Sequence, residues 1–248
     1  MSDSTNSDGG FVPNHLSRYH NTALIAAGGS GERMGAGIAK QFIEVSGLPA
    51  VVRTLLVFQK SPLITDIVVV GRPGDEELYR EFASRYGIDK LAAVAEGGET
   101  RQESVLSGLK CVSDKSRFLL IHDAVRCLVT GELIQRTLEA AHKHGCSCAG
   151  HGITDTVKKI EKGAIVETLD RSSLWLAATP QVFQTRIYRA VAYYAAENDF
   201  KSTDDASLAE HVGYKVCPVD CGSTNIKLTY PEDVELAEFI LKSRGDNI

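Results

Sequence analysis

The chain has 248 residues, 43% hydrophobic and 24% charged, with a formal net charge of -5 at pH 7. That length allows one large α/β domain or two small ones with a sizeable core, and the charge excludes a generally basic nucleic-acid or membrane-surface binder. No apolar run approaches the roughly 18 residues of a membrane span, and the first twenty residues lack a signal peptide's apolar stretch and carry Asp3 and Asp8. A cytoplasmic location with neither nucleic acid nor membrane as partner is therefore expected.

Residues 1–21, rich in Ser, Asp, Gly and Asn, read as a disordered lead. From residue 22 onward, short apolar runs alternate with amphipathic stretches. Strands are predicted at 22–27, 67–70, 91–95, 118–121 and 146–149, with helices at 50–59, 75–86, 101–112 and 132–144. The run "DIVVV" is apolar without alternation, as in a strand covered on both faces. This rhythm predicts parallel βαβ units with right-handed crossovers.

After Gly150 the rhythm changes. β-branched pieces flank the turn "EKGA", so 151–174 reads as a hairpin or protruding β-arm. Helices resume at 185–197 and 204–211, a strand follows at 215–219, and "YPEDVELAEFILKS" closes the chain as a helix. The expected organisation is a single domain over 22–245. Six cysteines are present, but Cys146/Cys148 and Cys217/Cys221 do not have the two-residue spacing of a zinc knuckle. They read as buried or incidental thiols.

The first strand runs into "AAGGSGERMGAGIAKQF". Ligands of α/β sheets bind beyond the carboxyl ends of strands, and Gly28, Gly29 and Gly31 let backbone N–H groups converge on a phosphate. Arg33 and Lys40 add the cations a triphosphate requires. The loop is neither a P-loop, since no G-K-[ST] occurs, nor a dinucleotide loop, since Met34 stands at the third glycine position. A plain glycine turn between strand and helix is the bland alternative.

"AAGGSGERMG…KQF" resembles the signature loop of sugar-nucleotide transferases with a Rossmann-like, mostly parallel sheet flanked by helices (the nucleotide-diphospho-sugar transferase type). More narrowly, the chain is similar to the 2-C-methyl-D-erythritol 4-phosphate cytidylyltransferases of isoprenoid-precursor synthesis. The blocks "GGETRQESVLSGL", "HDAVR", "DTVKK", "DRSSLW", "TPQVF", "TDDAS" and "NIKLTYPEDVELAEF" follow in family order.

The resemblance implies a site for CTP and a sugar-alcohol phosphate, with Mg²⁺ as cofactor. Arg33 and Lys40 match residues that contact the CTP phosphates and stabilise the transition state. Ala26, Ala27, Gly28, Gly29 and Gly31 would line the nucleotide, and Gly97, Gly98 and Ser104 would read the base, with Glu99 where many relatives have Asp. Asp123, at the end of an apolar strand, would hold Mg²⁺, and Asn225 would be a second ligand. His122 beside it reads as a packed strand residue. Arg126 matches an arginine near the acceptor, followed by Cys127 where many relatives have proline. Thr156, Arg171 and Lys227 match positions that hold the acceptor's phosphate. In relatives such an arm crosses a dimer axis, so a homodimer through 151–174 is implied. Asp204 and Asp205 read as helix-start acids or as contacts to acceptor hydroxyls.

"LDRSSLW" is closer to the methylerythritol subgroup than to the ribitol 5-phosphate cytidylyltransferases, which remain the alternative. A nucleotide-binding regulatory protein without activity is a further one. The combined presence of Arg33, Lys40, Asp123, Arg171 and Lys227 speaks against it.

Overall fold

The computed structural model describes residues 14–29 and 39–246. Gly31, Arg33 and residues 1–13 of the expected lead lie outside the described residues. In chain order the elements begin with α1 (Asn14–Ser17), β1 (Asn21–Ala26), the small strands β2 (Glu44–Val45) and β3 (Leu48–Pro49), α2 (Ala50–Lys60) and β4 (Asp66–Gly71). They continue with α3 (Glu76–Tyr86), β5 (Leu91–Glu96), α4 (Arg101–Leu109), β6 (Phe118–Asp123), α5 (Gly131–His144) and β7 (Cys146–Gly152). The remainder comprises β8 (Lys158–Glu161), β9 (Ala164–Thr168), β10 (Trp175–Gln184), α6 (Thr185–Glu197), α7 (Asp205–His211), β11 (Cys217–Asp220) and α8 (Glu232–Arg244).

Seven strands form one sheet in the order β11-β7-β10-β6-β1-β4-β5. Only β10 runs antiparallel to its neighbours. Both faces are covered, which explains the unbroken apolar runs. Ile67 and Val69 of β4 enter one core with Ala23, Ile25 and Leu120, while Val68 and Val70 enter the other with Leu24, Leu119 and Ile121. Each such Val, Leu or Ile side chain, at 0–1% exposure, contributes about 1.5–3 kcal/mol by leaving water. Gly108 lets α4 approach the sheet closely, because a Cβ there would stand 2.4 Å from Val70 Cγ2.

The ordered fold starts earlier than expected. Within the predicted lead, α1 places Leu16 at 0% exposure in the core, and the Tyr19 ring meets Phe118 edge-on at 6.0 Å. Polar composition signals a lead, but one leucine with a waiting hydrophobic surface suffices to dock this segment. β10 is absent from the predicted strands. Its interior proline, which follows a cis Thr179–Pro180 peptide, and a register shift between Ala177 and Gln181 mask the strand pattern. The predicted strand at 215–219 is shifted to Cys217–Asp220, and the helix at 101–112 ends at Leu109.

Between β7 and β10 the chain leaves the sheet as the β8–β9 hairpin. Positive φ at Lys162 (51°) and Gly163 (83°) fits the tight turn read from "EKGA". Every residue of both strands is exposed. Because β7 and β6 point the same way, the hairpin rises from the sheet edge where Asp123 lies. No helix among the described residues is long and apolar enough to cross a membrane.

Candidate active site

The carboxyl ends of β6, β1, β4 and β5 form one edge. Asp123 lies opposite Ala26, Ala26 opposite Val70, and Gly71 opposite Glu96. Past this edge the backbone stays tied down: Ala27 N donates to Val70 O at 2.8 Å and Gly97 N to Gly71 O at 2.8 Å. Gly28 and Gly97 both face Ser104, and a Cβ at Gly97 would stand 2.9 Å from Ser104 Oγ and 3.0 Å from the Gly71 carbonyl. The Ser104 hydroxyl accepts from Gly98 N at 3.1 Å and donates to Thr100 O at 2.8 Å, so in this structure it braces the loop. Thr100 and Glu103 close a capping box that fixes where α4 begins.

Lys40 opens a short 3-10 turn, Lys40–Phe42. Its side chain lies across Gly29, whose Cβ would meet Lys40 Cε at 3.2 Å and Nζ at 3.8 Å. The following hairpin is held from below by Arg53 of α2. That fully buried guanidinium donates from Nε to Val45 O and from Nη2 to Ser46 O at 2.6 Å.

Asp123 is the hub of the site. Lys227 Nζ stands 2.9 Å and Arg126 Nε 3.6 Å from its Oδ2, while Arg101 Nε stands 3.4 Å from Oδ1. Burial by itself would push this carboxyl up, but Lys227, Arg101 and Arg126 outweigh it and hold Asp123 well below the usual carboxylate range. Arg126 Nη1 also donates to Asn225 O at 2.8 Å. Asn225 Nδ2 donates to Thr179 O at 2.8 Å, and Asp123 N donates to Thr179 Oγ1 at 3.1 Å. Thus Asp123 and Asn225, 102 positions apart in sequence, share Arg126 and Thr179 as neighbours.

His122 fixes the other side of this strand end. Its Nε2 lies 3.2 Å from Arg126 O and its Nδ1 3.0 Å from Thr179 Oγ1. A carbonyl only accepts, so Nε2 carries the proton and Nδ1 accepts from the hydroxyl in the neutral ring. Burial outweighs the neighbouring Asp123 charge and the bond to Arg126 O, and depresses the imidazole from 6.5 to about 4. The unfolded chain binds a proton at His122 below about pH 6.5 that the folded chain refuses until about pH 4. Stability without added magnesium is therefore expected to fall by about 3 kcal/mol as pH drops through this window. Urea midpoints at pH 7 and 4.5 check this, and His122→Asn is expected to flatten the difference.

The structure brings Ala26, Ala27, Gly28, Gly29, Lys40, Gly97, Gly98, Ser104, Asp123, Arg126, Asn225 and Lys227 to one edge of the sheet. Thr156 and Arg171 do not join the Asp123 cluster. Both are exposed at the stem of the hairpin, where Arg171 Nη1 donates to Thr154 O. Asp204 caps α7, accepting from Ser207 N at 3.1 Å, whereas Asp205 is buried against Arg101. Sequence reasoning passed over Arg101 and Thr179. Arg101 lies inside the block "GGETRQESVLSGL", and an arginine at a helix start is the signal for it.

A magnesium ion fits the donor set. Asn225 Oδ1 is a buried oxygen with no hydrogen-bond partner, next to a carboxylate already held ionised. No cluster of three or more His, Cys, Asp or Glu occurs among the described residues. Asp123 and Asn225 would offer the one or two protein oxygens by which Mg²⁺ is usually held beside phosphates.

A mostly parallel α/β sheet with a glycine-lined, cation-rich edge defines a Rossmann-like protein built to hold a phosphorylated ligand. Residues 22–243 match the profile of the 2-C-methyl-D-erythritol 4-phosphate cytidylyltransferases, and the chain belongs to that family. The enzyme of that name from Syntrophus aciditrophicus is 42% identical over 91% of this chain and 97% of its own. The one from Geobacillus kaustophilus is 39% identical over 90% and 97%. Among solved structures, the 4-diphosphocytidyl-2C-methyl-D-erythritol synthase of Anaerococcus prevotii superposes with a TM-score of 0.80 at 30% identity, covering 90% of this chain and 99% of that one. The Thermus thermophilus enzyme gives 0.75 at 31% identity, covering 90% and 99%.

Proposed function

We propose that the chain transfers CMP from CTP to 2-C-methyl-D-erythritol 4-phosphate, forming 4-diphosphocytidyl-2-C-methyl-D-erythritol and pyrophosphate. The observation that carries this reading is the Asp123 cluster at the glycine-lined edge of a chain of this family. An oxygen of the acceptor's phosphate attacks the α-phosphorus of CTP. A new P–O bond forms while the bond to the α,β-bridging oxygen breaks and pyrophosphate leaves. Such a transfer asks for positioning and charge more than covalent chemistry. Lys40, and Arg33 from the same loop, serve the triphosphate. The Gly97–Gly98 backbone, braced by Ser104, serves the base. Arg126 and Lys227 serve the acceptor's side. Asp123 and Asn225 would hold Mg²⁺, which neutralises phosphate charge when bound. Pyrophosphate release with CTP, against the methylerythritol and ribitol phosphates and against other nucleotides, tests the reading. Equal rates with ribitol 5-phosphate would overturn the acceptor assignment.

The arm supports a homodimer in which one subunit completes its neighbour's site. A two-stranded hairpin is marginal alone, yet this one exposes Ile160 and Ile165 at 65% and Val166 at 52%. Thr156 and Arg171 at its stem would grip the acceptor's phosphate, for which a planar guanidinium is well shaped. Arg171→Ala is expected to raise the acceptor KM at least about tenfold with little change for CTP. Mixing Arg171→Ala with Lys40→Ala subunits is expected to restore part of the activity. A verified mixed dimer without recovery would refute sharing between subunits.

A further inference from the structure

Arg101 opens α4 directly after its cap Thr100. A cation in the first helical turn works against the helix dipole, so its placement needs another reason. The side chain bridges two buried carboxylates. Nη1 stands 2.6 Å from Asp205 Oδ2, and Nε stands 3.4 Å from Asp123 Oδ1. Asp205 has a side-chain exposure of only 2% and receives the Tyr188 hydroxyl on its other oxygen at 2.5 Å. It does not cap α7, since Asp204 does. Gln181 of β10 sets the start of α7 instead, accepting from Ala206 N and donating to Asp204 Oδ2, both at 2.8 Å. Asp205 is thus a charge installed in the interior at a cost, and a buried ion pair is a weak source of stability.

The division of the Asp123 oxygens shows what that cost can serve. Among the described residues, Lys227 and Arg126 address Oδ2 and Arg101 addresses Oδ1. The geometry points to Arg101 as a positioning residue, locked by the buried Asp205–Tyr188 pair, that holds Asp123 Oδ1 and so fixes the rotation of its carboxylate. This rests on the function proposed above. When Lys227 and Arg126 turn to substrate phosphates, Arg101 stays bound to Asp205. Asp123 therefore keeps one cationic partner, and Oδ2 keeps facing the reacting groups. The tie also explains why "TDDAS", far along the chain, belongs to the site without its second acid facing solvent.

Arg101→Gln and Tyr188→Phe test the assignment by two readouts. The first is steady-state pyrophosphate release. The second is Mn²⁺ titration of the enzyme with CTP but no acceptor, which requires no turnover. Arg101→Gln is expected to lower kcat about 100-fold, the scale of a small misplacement at a reacting centre. KM for both substrates should stay within about threefold, and Mn²⁺ affinity should fall about tenfold. Tyr188→Phe should move kcat and Mn²⁺ affinity the same way by about three- to fivefold. Wild-type turnover and Mn²⁺ affinity in a folded Arg101→Gln, even with a lowered melting temperature, would reduce the tie to a structural one and overturn the inference. If Arg101→Gln does not fold, unchanged values in Tyr188→Phe overturn it equally. A wild-type protein that binds Mn²⁺ and CTP but transfers nothing would overturn the function alone, leaving the Mn²⁺ titration to decide the role of Arg101.

Discussion

Lys40→Ala is expected to lower the rate of pyrophosphate release by about 10²–10³-fold, the loss typical of one preorganised charge aimed at a transition state. The ammonium lies over Gly29, at the mouth of the nucleotide loop. Its own turn is secured independently, by buried Gln41 and by the Arg53 clamp on the next hairpin. Truncation should therefore remove the charge without displacing that turn. The fold is expected to remain intact, and CTP binding in the absence of turnover should weaken less than kcat falls. Turnover equal to wild type at saturating CTP would contradict the assignment of Lys40.

Asp123→Asn is expected to cost about 10² in kcat and to shift the magnesium requirement to higher concentration. The substitution preserves shape and removes the single negative charge that Lys227, Arg101 and Arg126 share. It should also lower stability, by less than the about 3–5 kcal/mol of a fully buried broken pair. Lys227 is 38% exposed and can turn to water, so its repulsion of the two arginines is partly relieved. Urea unfolding without magnesium measures the structural cost, and magnesium titration of the folded variant measures the functional one. A magnesium titration superimposable on wild type would remove Asp123 from the metal site.

Much of the fold was legible because burial on both faces leaves a local trace. The "DIVVV" run of β4 and the apolar run of β6 need no partner to be recognised, and the turn "EKGA" states its geometry through Lys162 and Gly163. β10 left no such trace. Its pairing with β6 and β7 is stabilised by neighbours on both sides, which lets it carry Pro180 and a register shift. The α1 segment was hidden for a related reason, because Leu16 finds its partners only after the sheet has formed.

In the candidate site, the sequence by itself determined the chemistry on offer: glycines at a strand's end, Arg33 and Lys40 in the same loop, and an aspartate closing an apolar strand. Only the tertiary structure decided which charges share that aspartate. The sheet order sets β6 beside β1 and β10, and α4 and the Lys227 segment then deliver Arg101 and Lys227 to opposite oxygens of Asp123. Hydrophobic periodicity is a property of neighbours along the chain, so it can be read from residue order. Electrostatic partnership depends on distance through space and on the surrounding dielectric, and both exist only once the strands have paired and water has been excluded.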